Sequence, residues 1–180
     1  MAVRTVLSLL IVAALGVSGA ACGYSLAGRG SFLPDSIRVI GVPEFTNQTT
    51  YLEVERRFTE RVRTEFIGRG RYQVLAQEAG ADAVLRGTIT ALSIVPANFN
   101  DAQQATRYII VVNTKIEFVD LKTNKAIWEN PSMVFREEYD LPPDTQAGNP
   151  AAFFGQGSNA LERVANDFAR TVVSAILEAF

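Results

Sequence analysis

The chain has one cysteine, Cys22, and no histidine among its 180 residues. A thiol is the strongest nucleophile in that inventory, and its reactivity depends on where it sits. Without histidine, Ser-His-Asp and Cys-His catalysis and every histidine-based metal site are excluded. Aspartate and glutamate can pair for glycoside hydrolysis, but no two of the 19 acidic residues can be assigned to one cleft. Gly68-Arg69-Gly70-Arg71 follows a helical pattern, so it lies at the wrong helix end to cradle phosphate. The chain therefore reads as a non-enzyme with no cofactor and no metal site, and the chemistry left to explain is that of Cys22.

Its surroundings are specific. Arg4 is followed by a 13-residue apolar run from Thr5 to Val17 and then by Ser18, Gly19, Ala20 and Ala21. A basic start, a short apolar core and a small-residue exit describe a secretory signal. As a helix the run would be about 20 Å long, short of the roughly 30 Å hydrocarbon core. An ordinary cleaved signal and an uncleaved anchor are the alternatives, and an unpaired thiol in an exported chain argues against both. Gly19-Ala20-Ala21-Cys22 resembles the bacterial lipobox, with Gly19 where leucine is usual. The resemblance implies cleavage before Cys22 and covalent diacylglycerol and N-acyl lipid on it. Several acyl chains hold a protein stably at ~0.8 kcal/mol per buried CH₂. Residues 1–21 are then a lipoprotein signal peptide, 22–36 a Gly- and Ser-rich lipidated tether, and 37–180 a single domain.

After cleavage 16 basic and 19 acidic residues remain, a net charge of −3. That balance speaks against nucleic acid as a partner. The elements that follow are read from periodicity. Ile37–Val42 is an apolar strand ended by Pro43, and the polar run 46–50 carries capping residues for a helix over 51–67. Tyr51, Val54, Phe58, Val62 and Phe66 form its apolar stripe; Glu53–Arg57 and Arg61–Glu65 are i,i+4 pairs on its charged side. Strands are expected at 72–75 and 83–95, the latter alternating Leu85, Gly87, Ile89 and Ala91 with Arg86, Thr88 and Thr90, with a polar loop over 96–104. Thr106–Val119 is the clearest strand. It returns through an Asp120–Lys125 hairpin into a partner over 126–139, where Pro131 requires a bulge or a sheet edge. A Pro- and Gly-rich loop carries Phe153-Phe154, which either contact a partner or cover the sheet. A final amphipathic helix runs from about Asn159 to Phe180. The order predicts an α+β two-layer sandwich: two amphipathic helices on one face of a mixed, largely antiparallel four- to five-stranded sheet.

Cys22-Gly23-Tyr24-Ser25-Leu26, Leu33-Pro34 before the first strand, Arg107-Tyr108-Ile109 opening the long strand, and Val134-Phe135-Arg136 on its partner resemble the LptE family of lipopolysaccharide-assembly lipoproteins. Val42-Pro43-Glu44-Phe45-Thr46-Asn47-Gln48-Thr49 is also similar to lipoproteins of the LpoB and CsgG type. These are a peptidoglycan-synthase activator and a secretion component, and they stand as the alternative. The LptE resemblance implies a partner, the LptD β-barrel, whose assembly such proteins support. It also implies binding of lipopolysaccharide on its way to the outer leaflet. Gly23, where an aspartate would retain a lipoprotein at the inner membrane, implies a lipid-anchored place on the outer membrane.

Under that resemblance the candidate lipopolysaccharide-binding residues are Arg107, Lys115, Lys122, Lys125 and Arg136, the basic side chains on or near the long hairpin. With both helices on one face, the other face of the sheet is free. On the long strand this is either the Arg107, Ile109, Val111, Lys115, Val119 side or the Tyr108 side; the first is expected because it mixes apolar and basic residues, with Lys122 and Lys125 at the turn as the place where phosphates approach.

Overall fold

A computed structural model describes residues 33–101, 103, 105–140 and 158–179. The signal segment, Cys22, most of the tether and the Phe153-Phe154 loop lie outside the described residues. The described chain runs β1 (Val39–Gly41), β2 (Thr46–Asn47), α1 (Val54–Gly68), β3 (Gln73–Leu75), β4 (Ala83–Phe99), β5 (Ala105–Asp120), β6 (Lys125–Asp140) and α2 (Ser158–Leu177). The strands form one mixed sheet in the order β3-β1-β4-β5-β6. β1 is parallel to β3 and β4, while β4, β5 and β6 are an antiparallel meander. The expected α+β class holds.

The sheet has six strands rather than four to five, because β2 pairs with β4 beyond the reach of β1. Pro43, with no N–H to donate, separates the two short strands along the same β4 edge. β4 itself continues through Pro96 to Phe99, where a loop was expected. Past Ile89 no described strand pairs with its outer edge, and an edge tolerates proline. A bulge at Thr90 shifts the alternation by one residue, so Leu92 faces inward and Ala91 outward. The expected bulge at Pro131 is present: Asn130 pairs with Ile116 and Met133 with Thr114, on the edge strand of the sheet. Asn124 takes a left-handed conformation in the β5–β6 turn, with φ 52°.

Both helices cover one face. Val54, Phe58, Val62 and Phe66 of α1 and Leu161, Val164, Phe168, Val172 and Ile176 of α2 are buried, as their spacing required. The Phe58 and Phe168 rings meet at 4.9 Å and Phe135 meets Phe168 edge-on at 6.1 Å, joining both helices to β6. On β5 the buried residues facing the helices are Tyr108, Ile110, Val112, Thr114, Ile116 and Phe118. Gly87 lies among them, and a Cβ there would come within 2.8 Å of the Phe45 ring.

Two local expectations change. The helix begins at Val54, not Tyr51, after Glu53 in the left-handed region, and no side chain caps it. Asn47 instead organises the preceding loop. Its Oδ1 accepts from the Thr49 N–H at 2.8 Å, and its Nδ2 donates to the Tyr51 carbonyl and to Glu55, each at 2.7 Å. Arg61 does not pair with Glu65. It donates to Glu162 of α2 at 2.8 Å, alongside Arg57 at 2.9 Å, while Glu65 takes Arg69 at 2.8 Å. Burial works to raise the Glu162 pKa, but hydrogen bonds from Arg61 and Arg57 outweigh it and hold the group below its ordinary value. The arginine-rich face of α1 is thus largely engaged within the fold.

Candidate functional site

The strand pleat sends alternate β5 residues away from the helices. Arg107, Ile109, Val111, Asn113, Lys115 and Glu117 line this outer face, as expected. Val119 differs: it is 4% exposed. Its neighbour Val84 is buried as well, because the connection between β3 and β4 folds over this end of the outer face. Gly41, in register with Val84, permits that cover; a Cβ there would sit 2.6 Å from the Gln77 carbonyl oxygen.

Further along, the outer face is open. Val95 pairs with Ile109, Arg136 with Val111, and Val134 with Asn113, so three strands contribute to one surface. Val95 is 44% and Val134 55% exposed, and Phe99 is 61% exposed at the end of β4. Arg107 reaches Glu138 at 3.5 Å across the strands. Arg136 is exposed and has no ion pair among the described residues. The result is an apolar strip flanked by two guanidinium groups and by the Glu138 carboxylate opposite Ile109, with Arg136 the one of the three that has no ion pair among the described residues.

The five candidate cations do not converge. From Arg107 to the turn that holds Lys122 the chain follows nearly all of β5, about 50 Å of strand. Lys115 lines a separate open groove of about 640 Å³ with Pro43, Glu44, Glu78, Arg86, Glu117 and Glu129, among others. Arg86 grips Glu78 with two hydrogen bonds, 2.7 and 2.8 Å, which holds Glu78 below its ordinary pKa. Glu117 lies opposite Glu129 in the β5–β6 register. Carboxylates outnumber cations in this groove, an unfavourable setting for a phosphate at Lys115.

Lys122 serves the fold. Its Nζ lies 2.8 Å from Asp82 Oδ1 and donates to the Ser36 carbonyl at 3.3 Å. Asp82 also accepts the N–H groups of Arg38 and Val39, each at 3.0 Å. The Lys122 hydrogen bond, followed by these two backbone donors, lowers the Asp82 pKa to about 2. One carboxylate thereby joins the entry to β1, the start of β4 and the β5–β6 turn. Lys125, opposite Asp120 in the β5–β6 register, stays exposed. Among the described residues no three His, Cys, Asp or Glu side chains are placed to hold a metal ion.

Asp82, Val95, Val134 and Phe99 were not among the sequence candidates. Alternation continuing through Val95, Ala97 and Phe99 was a usable signal for the extended β4. Nothing local marks Asp82, whose partners are 40 or more residues away.

A comparison with curated proteins finds no match. Among solved structures, a lipoprotein B from Nitrosomonas europaea is similar at 12% identity. That match covers 87% of this chain and 94% of the other, with a TM-score of 0.52. A point variant of PelC from Paraburkholderia phytofirmans, solved as a dodecamer, is similar at 16% identity over 82% of this chain and 94% of its own, with a TM-score of 0.51. At such identities the likeness is one of fold. The family model for LptE, lipopolysaccharide-assembly, matches residues 37–176, which span every described element from β1 into the last turn of α2. The chain belongs to the LptE lipopolysaccharide-assembly family.

Proposed function

We propose that the chain is an outer-membrane lipoprotein, lipidated at Cys22, that partners an LptD-like barrel and supports its assembly and the passage of lipopolysaccharide to the outer leaflet. The observation that carries this reading is the open outer face of the meander. Val95, Ile109, Val111 and Val134 offer an apolar surface bounded by Arg107 and Arg136, within a family whose work is lipopolysaccharide assembly. The family acts in transport rather than catalysis, in keeping with a chain that has no histidine. No described helix is long and apolar enough to cross a membrane. In this reading the attachment is the lipid on Cys22.

Arg107 and Arg136 are then the lipopolysaccharide contacts. Lys122 is held by Asp82, and Lys115 sits among carboxylates. Charge-assisted hydrogen bonds to phosphate contribute about 1.5–3 kcal/mol each. Purification of the tagged chain from outer membranes should bring down a barrel of LptD size. Recovery of a penicillin-binding protein in its place would move the assignment to the LpoB type. Separately, Cys22→Ser should abolish labelling by palmitate; a labelled Cys22→Ser protein would sink the lipidation site.

A further inference from the structure

The open outer face carries a carboxylate between its two guanidinium groups. Arg107 is in register with Asp140, Ile109 with Glu138 and Val111 with Arg136. Arg107 and Arg136 are therefore four positions apart along the strands, about 13 Å, and Glu138 stands halfway. Glu138 and Arg136 are two residues apart on β6, about 7 Å, and so share a face.

The two cations differ in what holds them. Arg107 Nη1 lies 3.5 Å from a Glu138 carboxylate oxygen, and the two side chains are 40% and 60% exposed. Arg136 is exposed and has no ion pair among the described residues. An anion meets Arg136 directly. At Arg107 it must draw the guanidinium away from Glu138, or sit beside that like charge. The Arg107–Glu138 pair does little for the fold, because it is exposed and longer than a tight charge-assisted hydrogen bond of about 2.7–2.9 Å. Its consequence is for binding. A fixed like charge at the rim of a recognition surface selects by repulsion.

We infer that Glu138 is a specificity-determining residue: it reserves Arg107, so that the face takes one phosphate at Arg136 and gains little from a second. The inference rests on the open outer face being the lipopolysaccharide-binding surface. An amphiphile with one phosphate satisfies Arg136 and lays its hydrocarbon along Val111 and Val134. A second phosphate reaches Arg107 only as far as the guanidinium leaves Glu138.

The full lipidated chain in detergent is titrated with monophosphoryl and with bisphosphoryl lipid A. The parent is compared with Glu138→Gln, with Arg107→Gln and with the double variant. Glu138→Gln should tighten binding of the bisphosphoryl form about 3- to 5-fold, the scale of an exposed ion pair, and leave the monophosphoryl form within about 2-fold. A damaged fold does not produce a gain. In the Arg107→Gln background the gain should vanish, and added salt should shrink it. Unchanged or weaker bisphosphoryl binding by Glu138→Gln, with monophosphoryl binding intact, overturns the role of Glu138 and leaves the face as a binding surface. Equal gains for both ligands overturn the selectivity. A gain that survives in the Arg107→Gln background overturns the reservation of Arg107. If neither ligand binds the parent or Glu138→Gln, the binding surface falls, and the role of Glu138 with it.

Discussion

The turn end and the far end of the same three strands are built on different terms. At the turn end both faces are covered. Helices lie on one side, with Phe66 stacked on Phe118, and the β3–β4 connection folds over Val84 and Val119 on the other. Polar groups there are matched to partners in distant parts of the chain, Asp82 above all. At the far end only the inner face is covered. Val95, Val134 and Phe99 remain open to solvent beside Arg107 and Arg136. Exposed apolar side chains grouped on one surface mark interaction sites, whereas paired and buried ones mark stability. The outer face is thus closed at one end and open at the other, where the proposed recognition surface lies, while the inner face is packed along both.

Substitutions should separate the two. The largest effect is expected at Phe168, fully buried against Phe58 and Phe135: Phe168→Ala should destabilise by about 3–5 kcal/mol in urea unfolding. A loss below about 1 kcal/mol would mean that the helices do not secure the meander. Arg107→Glu with Arg136→Glu should leave the unfolding midpoint nearly unchanged, since exposed substitutions usually stay within about 0.5 kcal/mol. Lipopolysaccharide affinity should fall by at least about 10-fold, the equivalent of one lost charge-assisted contact. Comparable loss of both stability and binding would erase the distinction between the packed inner face and the open outer one.

Asp82→Asn comes next and belongs to the turn end. The folded-state pKa of Asp82 is depressed to about 2, so its stabilisation is present above the ordinary carboxylate pKa and is lost as pH falls toward 2. With part of the side chain open to screening water, the difference at pH 7 should be about 1–2 kcal/mol. The variant and the parent should converge near pH 2. A gap that persists there would mean that packing, not charge, sets the contribution. The smallest effect is expected at Thr114, whose buried hydroxyl has no hydrogen-bond partner among the described residues. Thr114→Val keeps the shape and removes an unsatisfied group, so a gain of up to about 1 kcal/mol is expected. A loss would show that the hydroxyl is satisfied by water.

The helices and long strands were legible because burial on one face imposes a period, and the residues carry it: Val54, Phe58, Val62 and Phe66 in α1, Tyr108 through Phe118 in β5. The outer face followed from the same alternation, as did the bulge at Pro131. What escaped detection depends on partners distant in sequence. Thr46–Asn47 is a strand only because β4 passes beside it, and Pro96 continues one only because its outer edge is unpaired by any described strand. Lys122 looked like a surface charge at a turn tip until Asp82, 40 residues earlier, was placed against it. Of the candidate cations, Arg107 and Arg136 stand on the open apolar face, a distinction that charge and spacing alone did not make.

The most direct test of the recognition assignment is site-specific photo-crosslinking in living cells. A photoreactive residue at Val134, on the open outer face, is compared with one at Arg170, on the exposed side of α2. An adduct with a barrel of LptD size is expected from position 134 and none from position 170. An adduct from position 170 alone, or one from position 134 to a penicillin-binding protein, would contradict the assignment.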